Sequence, residues 1–119
     1  MDPRISIAIR KIRESLGDRL SLSSIGNHVG LSPWHFSRLF KRETGVPFKR
    51  WLQEERLRRA ATLLADPRFR VKEIAARAGY STTSDLTRAF KKRFHVSPTG
   101  YRSVAPGGGQ RMLTNSFWG

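Results

Sequence analysis

The residues Ser37 to Val46, SRLFKRETGV, are nearly repeated by Thr87 to Val96, TRAFKKRFHV. In each copy a hydroxyl residue precedes an arginine, and a lysine stands almost one helical turn further on. The first set is Ser37, Arg38 and Lys41; the second is Thr87, Arg88 and Lys91. Arginine can pair bidentately with guanine O6 and N7, a hydroxyl can reach a base edge or a phosphate, and a lysine can neutralise a phosphate. That is recognition chemistry. Groups for covalent or metal chemistry are scarce. The chain has no cysteine, which removes thiol catalysis, disulfides and cysteine-based zinc sites together. His28, His35 and His95 are scattered, without a paired carboxylate or metal-ligand spacing. The expectation is a binding protein, not an enzyme, with no cofactor and no metal.

The charge supports this. Lys and Arg number 23 against 9 Asp and Glu, a formal net charge of +14 over 119 residues. A field of that sign attracts polyanions. Nucleic acid is the first candidate, an anionic membrane the second and an acidic protein the third; solubility alone is the bland alternative. No stretch approaches the ~18 apolar residues of a membrane span. The opening MDPRISIAIRKIRESL breaks every apolar run with charge, unlike a signal peptide. A soluble, cytoplasmic chain without a membrane partner is expected.

The elements that must position these residues are helices. Ile5, Ala8, Ile9, Ile12 and Leu16 fall at helical spacing from about Pro3 or Arg4, with a stop at Gly17. Ser21 caps a short helix through Val29, with Leu22, Ile25 and Val29 inward and Gly30 turning at positive φ. Ser32-Pro33 restarts a helix that ends at Gly45 and buries Phe36, Leu39 and Phe40. A long helix from Pro47 to about Ala65 follows, broken by Asp66-Pro67. Then come a short helix Val71–Ala78, a longer one from about Thr82 to Phe94 burying Leu86, Ala89 and Phe90, and a last turn from Ser97-Pro98 carrying Tyr101. Strand signals are absent. The fold expected is all-α, with about seven helices.

Aligned as units, Ile25 matches Ile74, Gly30 matches Gly79 and Ser32 matches Ser81. After one inserted residue, Phe36 matches Leu86, Phe40 matches Phe90, Val46 matches Val96 and Trp51 meets Tyr101. Short helix, glycine turn, longer helix is the helix-turn-helix pattern. With the apolar residues inward, Trp34, Ser37, Arg38 and Lys41 face out from the first long helix. Ser84, Thr87, Arg88 and Lys91 face out from the second. An exposed indole can pack on a thymine methyl, and a large aromatic at a solvated position usually has a partner.

The organisation expected is residues 1–50 as one helix-turn-helix subdomain, 47–66 as a linker helix, 67–103 as a second subdomain and 104–119 as a flexible tail. The tail, SVAPGGGQRMLTNSFWG with its preceding residue, has three consecutive glycines and no periodicity. Halves of about fifty residues bury too little surface to be stable alone, so the linker must brace them. Nineteen helical residues span roughly 28 Å, near the ~34 Å between successive major grooves.

GLSPWHFSRLFKRETGVPFKRWLQEERLRRAATLL, followed by VKEIAARAGYSTTSDLTRAFKKRFHVSPTGYR, resembles the DNA-binding domain of the AraC/XylS family of bacterial transcription regulators. The resemblance runs over about Ile5–Arg102. It implies seven helices in two homeodomain-like helix-turn-helix subdomains joined by a long helix. It also implies two reading helices, at about 33–44 and 82–94, in adjacent major grooves of an asymmetric site on double-stranded DNA. Carried over position by position, base-reading places fall on Trp34, Ser37 and Arg38, and on Thr83, Ser84, Thr87 and Arg88. His35 is a further candidate beside them. Ser32, Lys41, Arg42, Ser81, Lys91 and Lys92 are candidates for phosphate. Hydroxyls replace the long amides of several family members at Ser37, Thr83 and Ser84. Gly26 stands where alanine is usual and is expected to weaken its helix by up to about 1 kcal/mol. Asp85 stands where an aromatic is common and puts a negative charge beside the DNA.

The implied setting is the cytoplasm, at the bacterial nucleoid, with RNA polymerase as a candidate partner if binding activates. A chain of this length leaves no room for a sensor domain, so a monomer is expected unless it is a piece of a longer protein. The alternative within DNA binding is a sequence-neutral architectural protein, with the basic faces but no base readers. RNA fits less well, because the A-form major groove is too narrow for these helices. A DNA-repair methyl acceptor with a similar domain would need a reactive cysteine.

Overall fold

The computed structural model describes residues 1–104. Seven α-helices run in order: α1 Pro3–Glu14, α2 Leu22–His28, α3 Pro33–Thr44, α4 Phe48–Leu64, α5 Val71–Arg77, α6 Thr83–Phe94 and α7 Pro98–Val104. Among the described residues there is no strand, and the all-α expectation holds. The expected tail lies outside the described residues except for Val104, which closes α7. The chain forms two compact units, Met1–Glu55 and a second beginning at Arg56.

In the first unit Asp2 caps α1, accepting the Arg4 N–H at 2.8 Å, with Pro3 at the first helical position. The helix ends at Glu14 with Ser15 as its C-cap, short of the expected Gly17. Ser21 and Ser24 close a capping box on α2. Ile5, Ala8, Ile12 and Leu16 pack with Ile25, Phe36, Phe40, Phe48, Trp51 and Leu52 in one apolar cluster. Its centre is aromatic: the Phe40 ring meets Phe48 at 5.5 Å and Trp51 at 5.3 Å, both edge to face. Edge-to-face pairs of this kind add about 0.5–1.5 kcal/mol beyond the area they bury.

Gly26 is not the defect that helix propensity suggests. A Cβ there would stand 2.7 Å from the Leu31 carbonyl oxygen. The turn after α2 folds back so closely that the Leu31 N–H donates to the Gly26 carbonyl at 2.8 Å. Close backbone approach, not conformational freedom, selects glycine.

The second unit repeats the scheme. Leu57, Ala60, Ala61 and Leu64 pack with Ile74, Ala75, Ala78, Leu86, Phe90 and Tyr101. Phe90 meets Tyr101 at 5.6 Å, as Phe40 meets Trp51 in the first. The left-handed C-cap of α3 is Gly45, at φ 81°, and its counterpart after α6 is His95, at φ 63°. Arg102 fastens the unit: its guanidinium donates to the Leu64 carbonyl at 3.0 Å, to Asp66 at 3.2 Å and to Phe69 at 2.7 Å. Leu64 ends α4, so its carbonyl has no partner within the helix, and the arginine supplies one.

α4 contributes to both clusters, which explains its composition. Phe48, Trp51 and Leu52 at i, i+3 and i+4 enter the first, and Leu57, Ala60, Ala61 and Leu64 repeat that spacing for the second. The two sets do not share one stripe, so the helix has no single apolar face.

Candidate nucleic-acid interface

Ser32 and Pro33 set the phase of α3. The Ser32 hydroxyl oxygen accepts the His35 N–H at 3.1 Å, and Pro33 takes the first helical position. Phe36 and Phe40 are then fully buried. The opposite side presents Trp34, His35, Arg38, Lys41 and Arg42 as exposed residues, with Ser37 half-buried at its edge. Trp34 is 61% exposed, an unusual state for an indole. The Arg38 guanidinium carbon lies 4.7 Å from the centroid of its ring, and the His35 ring tilts against it at 5.3 Å. A cation over an exposed indole is worth about 0.5–1 kcal/mol, enough to bias the arginine's rotamer.

α6 builds the same face. The Thr82 hydroxyl oxygen accepts the Asp85 N–H at 3.0 Å, and Leu86 and Phe90 are fully buried. Thr83, Ser84, Arg88, Lys91 and Lys92 are exposed and Thr87 is half-buried. Between Pro33–Phe48 and Thr83–Pro98, buried, half-buried and exposed positions coincide except at 35/85 and 47/97. The capping geometry corrects one detail. The counterpart of Ser32 is Thr82, not Ser81, because Thr82 makes the cap bond and Ser81 is the extra residue of the preceding turn.

The arginines of the two faces have different neighbours. Arg38 stacks on Trp34, whereas Arg88 Nη1 lies 3.4 Å from Asp85 Oδ1 within its own helix. Periodicity also missed Arg4. This residue, in the first turn of α1, joins Trp34, His35, Arg38 and Arg42 around a groove also lined by Leu31 and Leu39. Its guanidinium grips Asp2 at 3.0 and 3.2 Å, which holds that carboxyl below its usual range. The Asp2 N–H in turn donates to Glu43 of α3. Nothing in the spacing of α1 alone marks Arg4, since its partners in the groove come from α3.

Both faces can do the same three things: donate a rigid fork, offer hydroxyls beside it, and present exposed lysines whose charge suits a phosphate. Among the described residues no group of three His, Asp or Glu gathers to hold a metal, and no helix is long and apolar enough to cross a membrane.

Residues 25–103 match the family model described as a helix-turn-helix domain. The chain is similar to the multiple antibiotic resistance protein MarA of Escherichia coli K12. The two are 32% identical over 102 residues, which cover 86% of this chain and 80% of MarA. It is also similar to the regulatory protein PocR of Salmonella typhimurium, at 36% identity over 85% of this chain, but it spans only 33% of PocR's length. Among solved structures, the DNA-binding domain of the global transcriptional factor AdpA, in complex with a target DNA, superposes with a TM-score of 0.79. That match has 25% identity and covers 84% of this chain and 90% of that domain.

Proposed function

We propose that this chain, which belongs to the AraC-type helix-turn-helix family, is a sequence-specific transcription regulator that binds double-stranded DNA. Its two reading helices, α3 and α6, enter adjacent major grooves of one asymmetric site. Trp34, His35, Ser37 and Arg38 read bases in one half, and Thr83, Ser84, Thr87 and Arg88 read them in the other. Ser32, Lys41, Arg42, Ser81, Lys91 and Lys92 meet phosphates. The protein works as a monomer in the bacterial cytoplasm, at the nucleoid, with RNA polymerase as its further partner where binding activates. It is a binding protein with no catalytic role.

One observation carries the reading: two helices at an offset of fifty residues bury the same positions and present an arginine and a lysine at the same exposed ones, with a half-buried hydroxyl beside each arginine. Shared burial follows from a shared scaffold, and a shared basic chemistry on the outer faces of a chain of charge +14 supports a shared polyanionic partner. The exposed Trp34 favours base reading over purely electrostatic binding, because an indole carries no charge to draw a phosphate and offers an apolar face that a thymine methyl can meet.

Selection of preferred sites from random duplexes tests it. Two working heads select a bipartite, asymmetric site of about two helical turns. A one-turn site leaves one head idle, and no enrichment at all would turn the reading to a sequence-neutral architectural protein.

A further inference from the structure

The two reading faces differ where they could be expected to agree. The position before Phe36 is His35, and the matching position before Leu86 is Asp85. Asp85 sits in the first turn of α6, its N–H engaged by Thr82 and its carboxylate paired with Arg88 almost one turn on. We propose that Asp85 is a specificity-determining residue of the second head, selecting cytosine next to the base taken by Arg88. This rests on the DNA reading proposed above.

Donors and acceptors decide which base a carboxylate can take. An ionised carboxylate only accepts hydrogen bonds. The major-groove edge of DNA offers few donors: the N4 amino group of cytosine and the N6 amino group of adenine. Adenine places its N7 acceptor beside N6, and guanine and thymine present acceptors without an amino donor. Cytosine is therefore the base that satisfies a carboxylate without setting a second lone pair against it. The same charge is repelled by phosphate and by guanine O6 and N7, so it penalises wrong sites as well as favouring the right one.

The pairing with Arg88 makes this usable. The two side chains are 44% and 75% exposed respectively, and an ion pair so open to water is held weakly. It can give up its arginine to a guanine at small cost while the carboxylate turns to a neighbouring amino group. Before DNA arrives, the pair keeps the arginine folded along α6. The first head has no such device, since Arg38 rests on an indole, so the two half-sites should differ in composition.

A plainer role exists for an acidic residue in a first helical turn, which is to favour the helix dipole. That role changes stability and leaves base preference alone. The test is site selection with the wild-type protein and with Asp85→Ala, Asp85→Asn and Arg88→Ala, alongside melting temperatures. The Arg88→Ala profile locates the guanine in the second half-site. Wild type should prefer cytosine at an adjoining position by about 5- to 10-fold, the lower end of what one base pair contributes. Asp85→Ala should flatten that single position and raise affinity for random duplexes. Asp85→Asn should move the preference towards adenine, whose N6 and N7 suit an amide. An unchanged profile with only a shifted melting temperature would overturn the proposal while leaving the DNA reading intact. A wild-type protein that enriches no site would overturn both.

Discussion

Arg38 and Trp34 form a stack on the outside of α3, guanidinium carbon to ring centroid 4.7 Å, one helical turn apart. The pair sits on the side of the helix away from Phe36 and Phe40, so it contributes little to the core. Trp34→Ala should leave the thermal midpoint within about 2 °C, as surface changes generally do. It should weaken binding to a selected site by about 1 kcal/mol, roughly fivefold, through loss of the indole and of the restraint on Arg38. Calorimetry and a binding titration on one preparation check both halves; a large drop in the midpoint would make Trp34 a packing residue.

Gly26→Ala should destabilise the first unit despite alanine's better helix propensity. The added Cβ meets the Leu31 carbonyl at 2.7 Å, and relieving such an overlap costs about 1–3 kcal/mol. That exceeds the gain in propensity, at most about 1 kcal/mol. Urea unfolding of the variant gives the sign directly, and a stabilised variant would show that the turn yields freely.

His95→Gly should stabilise the second unit by about 0.5–1 kcal/mol. His95 holds a left-handed C-cap at φ 63°, and its N–H donates to the Lys91 carbonyl. A side chain costs about 1–2 kcal/mol in that region, part of which glycine returns through its freer unfolded chain. The unfolding midpoint in urea should rise at constant slope.

Arg102→Ala should cost about 1.5–3 kcal/mol, because one cation satisfies three carbonyls, Leu64, Asp66 and Phe69. Arg102→Lys should recover only part, since an ammonium lacks the planar fork that spans them. Chemical unfolding of both variants orders them; equal stability of wild type and Arg102→Ala would make these bonds incidental.

The sequence made much of this legible. Ile5, Ala8, Ile12 and Leu16, like Phe36 and Phe40, lie at the spacing of a buried helical stripe, and all are buried. Ser21 and Ser32 were readable as caps because a hydroxyl before an apolar run has few other local uses. Other features depended on geometry that spacing does not encode. Ser81 and Thr82 are both hydroxyls, and which one caps α6 follows from where the turn places the extra residue. Gly26 read as a propensity fault because the Leu31 carbonyl enters only through the path of the turn. Arg102 acts on Leu64, Asp66 and Phe69, which no local pattern connects to it. Arg4 reaches the groove beside Trp34 only once α1 lies against α3.

In the proposed reading Arg38 and Arg88 each take a base on a separate half-site. Fluorescence titration of Arg38→Ala and Arg88→Ala against a selected site and a random duplex, at one salt concentration, tests it most directly. Each substitution should cost about 1–3 kcal/mol on the selected site and change random binding by less than about twofold, with each loss confined to its own half-site. Equal losses on selected and random DNA would contradict it, and would reduce both arginines to phosphate contacts.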